Sequence, residues 1–286
     1  MFQPQDNLIH VATLNVRRLC TRDRLVELQE ALKNTYVDIL AVTELCWKGT
    51  GIMDLHDSDY RFFYAGPEDN KGPSGTGFLV SARMLPFIDT FQREDDRISR
   101  LDVRIGKHVI RFLSIYAPPS SVQSAEDQEN YIGFLDKLEA LLQNSNTRKS
   151  NSKRRCCRQV HPLLLGDFNA KLGKKENEFE CSVGPHGYDD QRNERGQLVV
   201  DFCEQLRLRA VASFFKTRSG RKWTWRSPDG KTLNCIDHIF ACTYLQFKSV
   251  RTGSIQFETD HRLLRGHFDA TSAALSRNRN HSFDAT

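Results

Sequence analysis

The stretch 163–170, Leu-Leu-Leu-Gly-Asp-Phe-Asn-Ala, decides how the rest of the chain is interpreted. Its apolar run is too short for a helix and ends in a turn signal, which predicts a buried strand. Asp167 and Asn169 lie two residues apart, and in an extended segment such residues point to the same face. A carboxylate and a carboxamide at a strand end suit proton transfer and phosphate orientation. Taken alone, however, they are better explained by an Asx turn that caps the strand.

The composition is that of an ordinary globular protein, with 286 residues of which 39% are hydrophobic and 27% charged. No run approaches the roughly 18 apolar residues that span a bilayer, so we expect no membrane partner. Residues 1–6 lack the basic start and apolar core of a signal peptide, which predicts a nuclear or cytoplasmic protein. The eight cysteines form no C-x-x-C framework, so we expect free, buried thiols.

Positive charge is concentrated in two segments. The net charge is +5 and the pI is about 8.8. The protein is thus only mildly basic, and the distribution of the charge is more informative than the net charge. Residues 144–159 are basic and rich in Ser and Asn, and we expect a flexible surface insertion there. Residues 216–231 hold the second basic group, which includes a hairpin predicted around the turn Pro228-Asp229-Gly230. Both segments are candidates for contact with a polyanion such as DNA.

Apolar periodicity predicts an α/β protein in which strands outnumber helices. We predict helices over 21–33, 125–142 and 194–206, and strands over 8–15, 37–42, 60–65, 75–80, 98–105, 108–116, 210–215, 234–242, 247–250, 255–257 and 263–268. Frequent strand-to-strand connections favour two packed sheets with helices outside. We expect one domain over residues 8–268, with disordered tails at 1–7 and 271–286.

Polar side chains recur where the apolar runs end. The positions are Asn15, Glu44, Tyr116, Asp167, Asn169, Asp237, Asp260 and His261. If these strand ends converge, the buried carboxylates need a cation, and oxygen donors suit Mg²⁺ or Mn²⁺ rather than zinc. His261 could then lie against Asp237, which would fix its tautomer and raise its pKa. Each residue also has an ordinary role on its own, as a strand terminator, surface acid, core tyrosine or turn cap.

Six short motifs in a fixed order make the chain recognisable. They are Thr13-Leu14-Asn15-Val16, Val42-Thr43-Glu44, Ser114-Ile115-Tyr116-Ala117-Pro118, Gly166-Asp167-Phe168-Asn169-Ala170, Ile236-Asp237-His238-Ile239 and Thr259-Asp260-His261. With them the chain resembles the endonuclease/exonuclease/phosphatase superfamily, the DNase I-like fold, over residues 8–268. Within it, segments 192–196, 214–216 and 224–230 are similar to endonuclease domains of non-LTR retrotransposons (RTE type) and to craniofacial development protein 2-like proteins.

The resemblance implies a four-layered α/β sandwich, in which two mixed β-sheets are packed together and flanked by helices. It also implies hydrolysis of a phosphodiester with a divalent metal, Mg²⁺ or Mn²⁺. Glu44 matches the principal metal ligand, and Asn15 and Asp260 match positions near the metal.

The same resemblance assigns roles to the remaining strand-end residues. Asp167 would position or deprotonate the attacking water, while Asn169 and Tyr116 would orient the phosphate. His261, paired with Asp237, would contact the phosphoryl oxygen. In this scheme metal and imidazolium neutralise the developing negative charge, while a carboxylate takes a proton.

We therefore predict a Mg²⁺-dependent DNA endonuclease, a nickase of retrotransposon origin that acts as a monomer. Its predicted DNA contacts are Arg17, Lys171, Arg192, Asn193, Arg195, Trp225 and Arg226. Pro119 and Asn234 stand where the similar apurinic endonucleases have Asn and Trp, which argues against abasic-site specificity. Two alternatives remain open: a phosphatase or RNA nuclease of the same superfamily, and a domesticated protein that binds without catalysis.

Overall fold

The computed structural model describes residues 8–55, 58–69, 74–119, 124–144, 159–189, 191–218, 220 and 222–270. Most of the basic insertion predicted over 144–159 lies outside these ranges, as do both predicted tails. Within the described ranges, no helix is long and apolar enough to cross a membrane.

The elements follow the predicted mixture of few helices and many strands. The helices are α1 (Arg22–Leu32), α2 (Ala125–Asn144) and α3 (Glu194–Leu206). The strands are β1 (Leu8–Asn15), β2 (Ile39–Thr43), β3 (Thr50–Asp54), β4 (Tyr60–Ala65), β5 (Thr76–Ser81), β6 (Ile88–Arg93), β7 (Ile98–Ile105), β8 (His108–Tyr116), β9 (Gln159–Asp167), β10 (Leu208–Ala210), β11 (Trp225–Arg226), β12 (Leu233–Asn234), β13 (Asp237–Cys242), β14 (Phe247–Gly253) and β15 (Leu263–Asp269). The three predicted helices are thus confirmed.

The strands form two large sheets and one small hairpin. The first sheet has the order β14-β15-β1-β2-β5-β4-β3, and the second has the order β10-β13-β9-β8-β7-β6. Each sheet is mixed, because β1 and β2 are parallel, as are β8 and β9, while the other pairs are antiparallel. The predicted hairpin is confirmed as the pair β11 and β12.

The sheets pack face to face, and helices cover their outer faces. β9 illustrates the arrangement, because alternate side chains of a strand point to opposite faces. Leu163 and Leu165 join the core between the sheets, whereas Leu164 packs into the cluster that α2 and α3 contribute. α1 covers the other sheet with Leu25 and Leu28. The predicted four-layered sandwich is therefore confirmed.

Several predicted strand limits are wrong. The edge strands β3 and β6 were not predicted, because an edge strand with one wet face carries few of the apolar residues on which the prediction depends. The strand predicted over 210–215 is instead β10 followed by the 3-10 turn Val211–Phe214. The strand predicted over 255–257 is absent, and Phe257 packs under the guanidinium of Arg24. The strand predicted over 234–242, with an interruption at Asp237-His238, is instead broken at residues 235–236, between β12 and β13.

Candidate active site

Parallel pairing brings the predicted strand ends together. β1 and β2 run side by side, so Asn15 and the residue after Thr43 emerge at the same edge of the first sheet. β8 and β9 do the same in the second sheet, where Tyr116 is level with Asp167. Asp237 opens the antiparallel β13 and pairs with Asp167 in register. The polar residues at these strand ends therefore share one rim of the sandwich.

Asn15 connects the two sheets at this rim. Its Nδ2 donates to Glu44 Oε1 at 2.9 Å and to Asp167 Oδ2 at 3.0 Å. Its Oδ1 accepts the backbone N–H of Arg17 at 2.9 Å. Because both amide hydrogens and the oxygen are engaged, the side chain holds two carboxylates in fixed positions.

Asp167 has both of the roles that the sequence suggested, as a turn cap and as a residue of the site. Its Oδ1 accepts the Asn169 N–H at 2.9 Å, which is an Asx turn, while its Oδ2 faces Asn15. β9 ends at Asp167, and Asn169 has a left-handed φ of 49°. The expectation that strand alternation places Asn169 was therefore wrong, because the turn places it. The Asn169 Nδ2 donates to Ala117 O at 2.9 Å, which fixes the orientation of the amide.

Gly166 allows β8 and β9 to approach closely at this point. A Cβ atom on Gly166 would lie 1.8 Å from the carbonyl oxygen of Ile115. The glycine in the opening stretch is thus required by the neighbouring strand, and any side chain would separate Tyr116 from Asp167.

His261 joins the carboxylates from the other side of the site. Its Nδ1 lies 2.8 Å from Asp237 Oδ2, and its Nε2 lies 3.9 Å from Asp167 Oδ2. Burial lowers the pKa of His261, but Asp237, Asp167 and Asp260 outweigh it and raise the pKa to about 9. The predicted contact between His261 and Asp237 is confirmed, and the imidazole is cationic at neutral pH.

Asp167, which lies 3.9 Å from His261, also has a shifted pKa. Burial and the neighbouring Asp237 raise the pKa of its carboxyl group to about 7, although His261 and hydrogen bonds from Asn169 and Asn15 oppose the rise. A carboxylate with such a pKa is a suitable proton acceptor near neutral pH.

Tyr116 points its phenol at the Glu44 carboxylate, to which it is hydrogen-bonded. Burial and the charges of Glu44 and Asp167 raise the pKa of the phenol, so it remains a hydrogen-bond donor. The guanidinium of Arg97 lies 5.0 Å from the centroid of the Tyr116 ring. Sequence reasoning missed Arg97, whose only signal is its place just before β7 in an acidic turn.

The turn that carries Asp260 is held by the hairpin β11–β12. Trp225 Nε1 donates to Asp260 Oδ2 at 3.3 Å, and Trp225 forms a β-bridge with His261. Arg17 Nε lies 3.9 Å from Asp260 Oδ1. Sequence reasoning also missed Thr224, whose buried hydroxyl accepts the Asp237 N–H at 3.0 Å and so positions that carboxylate.

The residues at the rim fit a divalent cation. The rim carries four carboxylates, three of which, Asp167, Asp237 and Asp260, act on His261. In the described part of the chain, Asp237 Oδ1 and Asp260 Oδ1 are among the buried side-chain oxygens without a hydrogen-bond partner. Such oxygen donors match the preference of Mg²⁺ and Mn²⁺. Asp167, Asp237 and His261 also offer one ligand atom each within 4.8 Å of one another, a second grouping that could hold an ion.

Three of the predicted DNA contacts make hydrogen bonds within the protein. The Arg192 side chain is 5% exposed and donates to Glu180 Oε1 at 2.6 Å and to Leu172 O at 2.8 Å. Asn193 is the N-cap of α3, and its Oδ1 also accepts the Lys171 N–H at 3.0 Å. These contacts fix the loop between β9 and α3, which explains the residues without reference to a ligand.

Arg195 is the third of these residues. Its guanidinium donates to Pro118 O and to Asp127 Oδ2, both at 2.6 Å, and lies 4.5 Å over the ring of Tyr131. The side chain is 8% exposed, so it joins α3 to α2 rather than facing solvent. The other predicted contacts, Arg17, Lys171, Trp225 and Arg226, have exposed or half-buried side chains.

The sequence was compared with models of known protein families, and the result agrees with the motifs. A family model described as the Endonuclease/Exonuclease/phosphatase family matches residues 12–261. The chain belongs to this family. It is 28% identical over 262 residues to craniofacial development protein 2 of Tragulus javanicus and of Bos taurus, a match that covers 90% of the chain. The chain spans only 42% and 40% of the lengths of these two relatives.

Solved structures of other proteins share the fold of this chain. A 3′ phosphatase from Neisseria bound to a product DNA hairpin aligns with a TM-score of 0.64 at 17% identity, covering 91% of this chain and 99% of the other. The endonuclease domain of TRAS1, a telomere-specific non-LTR retrotransposon, aligns with a TM-score of 0.57 at 14% identity, covering 93% and 100%. The resemblance found in the sequence is therefore confirmed at the level of family and fold.

Proposed function

We propose that the chain is a divalent-metal-dependent DNA endonuclease that nicks one strand of a duplex and derives from a retrotransposon. The observation that carries the proposal is the contact chain from Asp237 through His261 to Asp167, closed by Asn15 and Glu44. It supplies a proton acceptor near neutral pH, a cation beside it and fixed carboxylates, which together suit attack of water on a phosphodiester.

Each side chain has a definite part in this reaction. Asp167 accepts the proton of the attacking water. His261, kept cationic by Asp237, donates to the phosphoryl oxygen as negative charge develops there. Tyr116 and Asn169 orient the phosphate from the opposite side.

Asn15, Glu44 and Asp260 are the residues proposed to hold the cation. When bound, a divalent ion would neutralise negative charge on the phosphate and the leaving oxygen. The buried Asp260 Oδ1, which has no hydrogen-bond partner among the described residues, and the fixed carboxylate of Glu44 support this assignment.

DNA is the substrate that the surroundings of the site favour. Arg17, Lys171, Trp225 and Arg226 flank the catalytic residues, and positive side chains with an aromatic ring suit a nucleic-acid backbone. A cleft of about 800 Å³ continues from Lys171 along three further lysines. These are Lys174, Lys216 and Lys222. Four lysines along one cleft suit a polyanionic substrate.

Incubation of supercoiled plasmid with the protein and Mg²⁺ tests the proposal. We expect conversion to the nicked form, with 3′-hydroxyl and 5′-phosphate ends, and loss of activity in Glu44→Gln. Glu178→Gln, which makes the same charge change at an exposed position, serves as the matched control. Nicking that Glu44→Gln leaves undiminished would contradict the proposal, as would release of inorganic phosphate from inositol phosphates without any plasmid cleavage.

A further inference from the structure

Two cysteines lie against each other in the loops on either side of Glu44. Cys20 follows β1 and Cys46 follows β2, so the two loops continue from the parallel strand pair. The Cys20 N–H donates to Leu45 O at 3.0 Å, and the Arg18 N–H donates to Glu44 O at 3.0 Å. The thiols of Cys20 and Cys46 are hydrogen-bonded to each other.

The backbone geometry already suits a covalent link. A disulfide requires Cα atoms about 4.4–6.8 Å apart. The Cys20 N–H donates to the Leu45 carbonyl, which is bonded directly to the Cys46 nitrogen, and the two thiols are hydrogen-bonded to each other. The two residues therefore need little backbone movement to become linked.

The thiols also differ in accessibility, which sets the order of reaction. Cys20 is exposed, whereas Cys46 is half-buried. A small oxidant in solution reaches Cys20 first, and Cys46 is then placed to react with the oxidised sulfur. Burial, Cys20 and Glu44 also raise the pKa of the Cys46 thiol to about 12, so Cys46 is a poor nucleophile and is not the thiol that reacts first. An accessible cysteine beside a second cysteine is one requirement of a reversible oxidation site.

We propose that Cys20 and Cys46 form a reversible disulfide when the protein meets a peroxide. In the first step one peroxide oxygen is transferred to the Cys20 sulfur, which gives a sulfenic acid and one water. In the second step the Cys46 sulfur attacks the Cys20 sulfur, the S–O bond breaks, and the hydroxyl leaves with the remaining thiol proton as a second water. Two thiols are oxidised and one peroxide is reduced, and a dithiol reverses the change.

The disulfide would tie the loop after β1 to the loop after β2 across Glu44. The modification itself does not depend on the proposed hydrolysis, because it is detected on the protein rather than on DNA. The expected physical effect is a rise of several degrees in Tm, since the link restricts the unfolded chain.

Peptide mapping of the full chain tests the proposal. The wild type is treated with hydrogen peroxide, its remaining thiols are alkylated, and it is digested with trypsin without reductant. We expect residues 19–22 to be recovered linked to residues 34–48, and the link to disappear on treatment with dithiothreitol. Cys181→Ser, which removes another exposed thiol, should retain the link, while Cys20→Ser and Cys46→Ser should each lose both the link and the rise in Tm.

Two results would overturn the inference. One is alkylation of both Cys20 and Cys46 after peroxide treatment of the wild type. The other is a disulfide from either residue to a different cysteine or to a second chain. Tm measurements on the untreated Cys→Ser variants establish that each is folded before its result is interpreted.

Discussion

His261 Nδ1 lies 2.8 Å from Asp237 Oδ2, although β13, which carries Asp237, and β15, which follows His261, belong to different sheets. Asp237 opens β13 in the second sheet, whereas His261 comes just before β15 of the first. The contact therefore exists only when the sheets are packed with their strand ends aligned. The packing of the two sheets therefore positions a contact on which the proposed chemistry depends.

The charge on His261 depends on this contact. Burial alone would lower its pKa, and the neighbouring carboxylates raise it to about 9. We expect Asp237→Asn to lower the His261 pKa in the metal-free protein, as followed by NMR of the imidazole over a range of pH. His161, at the other end of the second sheet, should keep its low pKa of about 4 and serves as the control. An unchanged His261 pKa in the variant would remove Asp237 from its assigned role.

Tyr116→Phe should lower the nicking rate by about 10²–10³ while Tm stays within a few degrees of wild type. The substitution removes the phenol that is hydrogen-bonded to Glu44 but keeps the ring beneath Arg97. Tyr60→Phe is the matched control, because its phenol also makes one hydrogen bond, to Val37 O at 2.8 Å, far from the rim. Equal rates for the two variants would show that the Tyr116 hydroxyl has no part in the reaction.

Arg195→Ala should lower the stability of the protein, whereas Arg226→Ala should weaken its binding to DNA. Arg195 loses two hydrogen bonds and leaves Asp127 without its cation, so we expect about 2–3 kcal/mol less stability in urea unfolding. Arg226 is exposed, and its loss should leave stability nearly unchanged while weakening DNA binding and flattening its salt dependence. A stable Arg195→Ala variant with weakened DNA binding would restore Arg195 to the DNA surface.

His161 makes stability depend on pH away from the site. Burial and the adjacent His108 lower its pKa from 6.5 to about 4, and the ring of Tyr244 packs beside it. Between these two values the unfolded chain binds a proton that the folded protein excludes. Its contribution to stability is thus complete above pH 6.5 and is lost as the pH falls towards 4.

Urea unfolding at about pH 7.5 and about pH 5 measures this effect. We expect His161→Leu to reduce the difference in stability between the two pH values, even if the variant is less stable at both. A difference as large as that of the wild type would assign the acid sensitivity to other groups.

The residues of the rim were predictable because apolar runs stop where their side chains begin. The parallel pairs β1–β2 and β8–β9 are the simplest reason that such ends meet at one edge. The contact of His261 with Asp237 followed from the same argument, and the packing of the sheets confirms it. The Asx turn at Asp167 was considered only as an alternative to a role in the site and was set aside in favour of that role. The structure has both, because the two carboxylate oxygens have separate partners, which the sequence cannot show.

The surface around the site was harder to predict, because its contacts join distant parts of the chain. Arg195 meets Asp127, which lies 68 positions earlier, and nothing in the local sequence distinguishes it from Arg226. Arg97 and Thr224 were missed for the same reason, since their importance comes from the residues they contact. Charge alone therefore does not separate an arginine with an internal partner, such as Arg195, from an exposed one, such as Arg226.

The nicking rate of Asp167→Asn on supercoiled plasmid with Mg²⁺ tests the central claim most directly. The variant keeps an oxygen to accept the Asn169 N–H but cannot take a proton from water. We predict a rate about 10³–10⁴ lower than that of the wild type, with Tm and Mn²⁺ affinity largely preserved. Nicking at the wild-type rate would contradict the account, because the reaction would then proceed without the proton acceptor on which it depends.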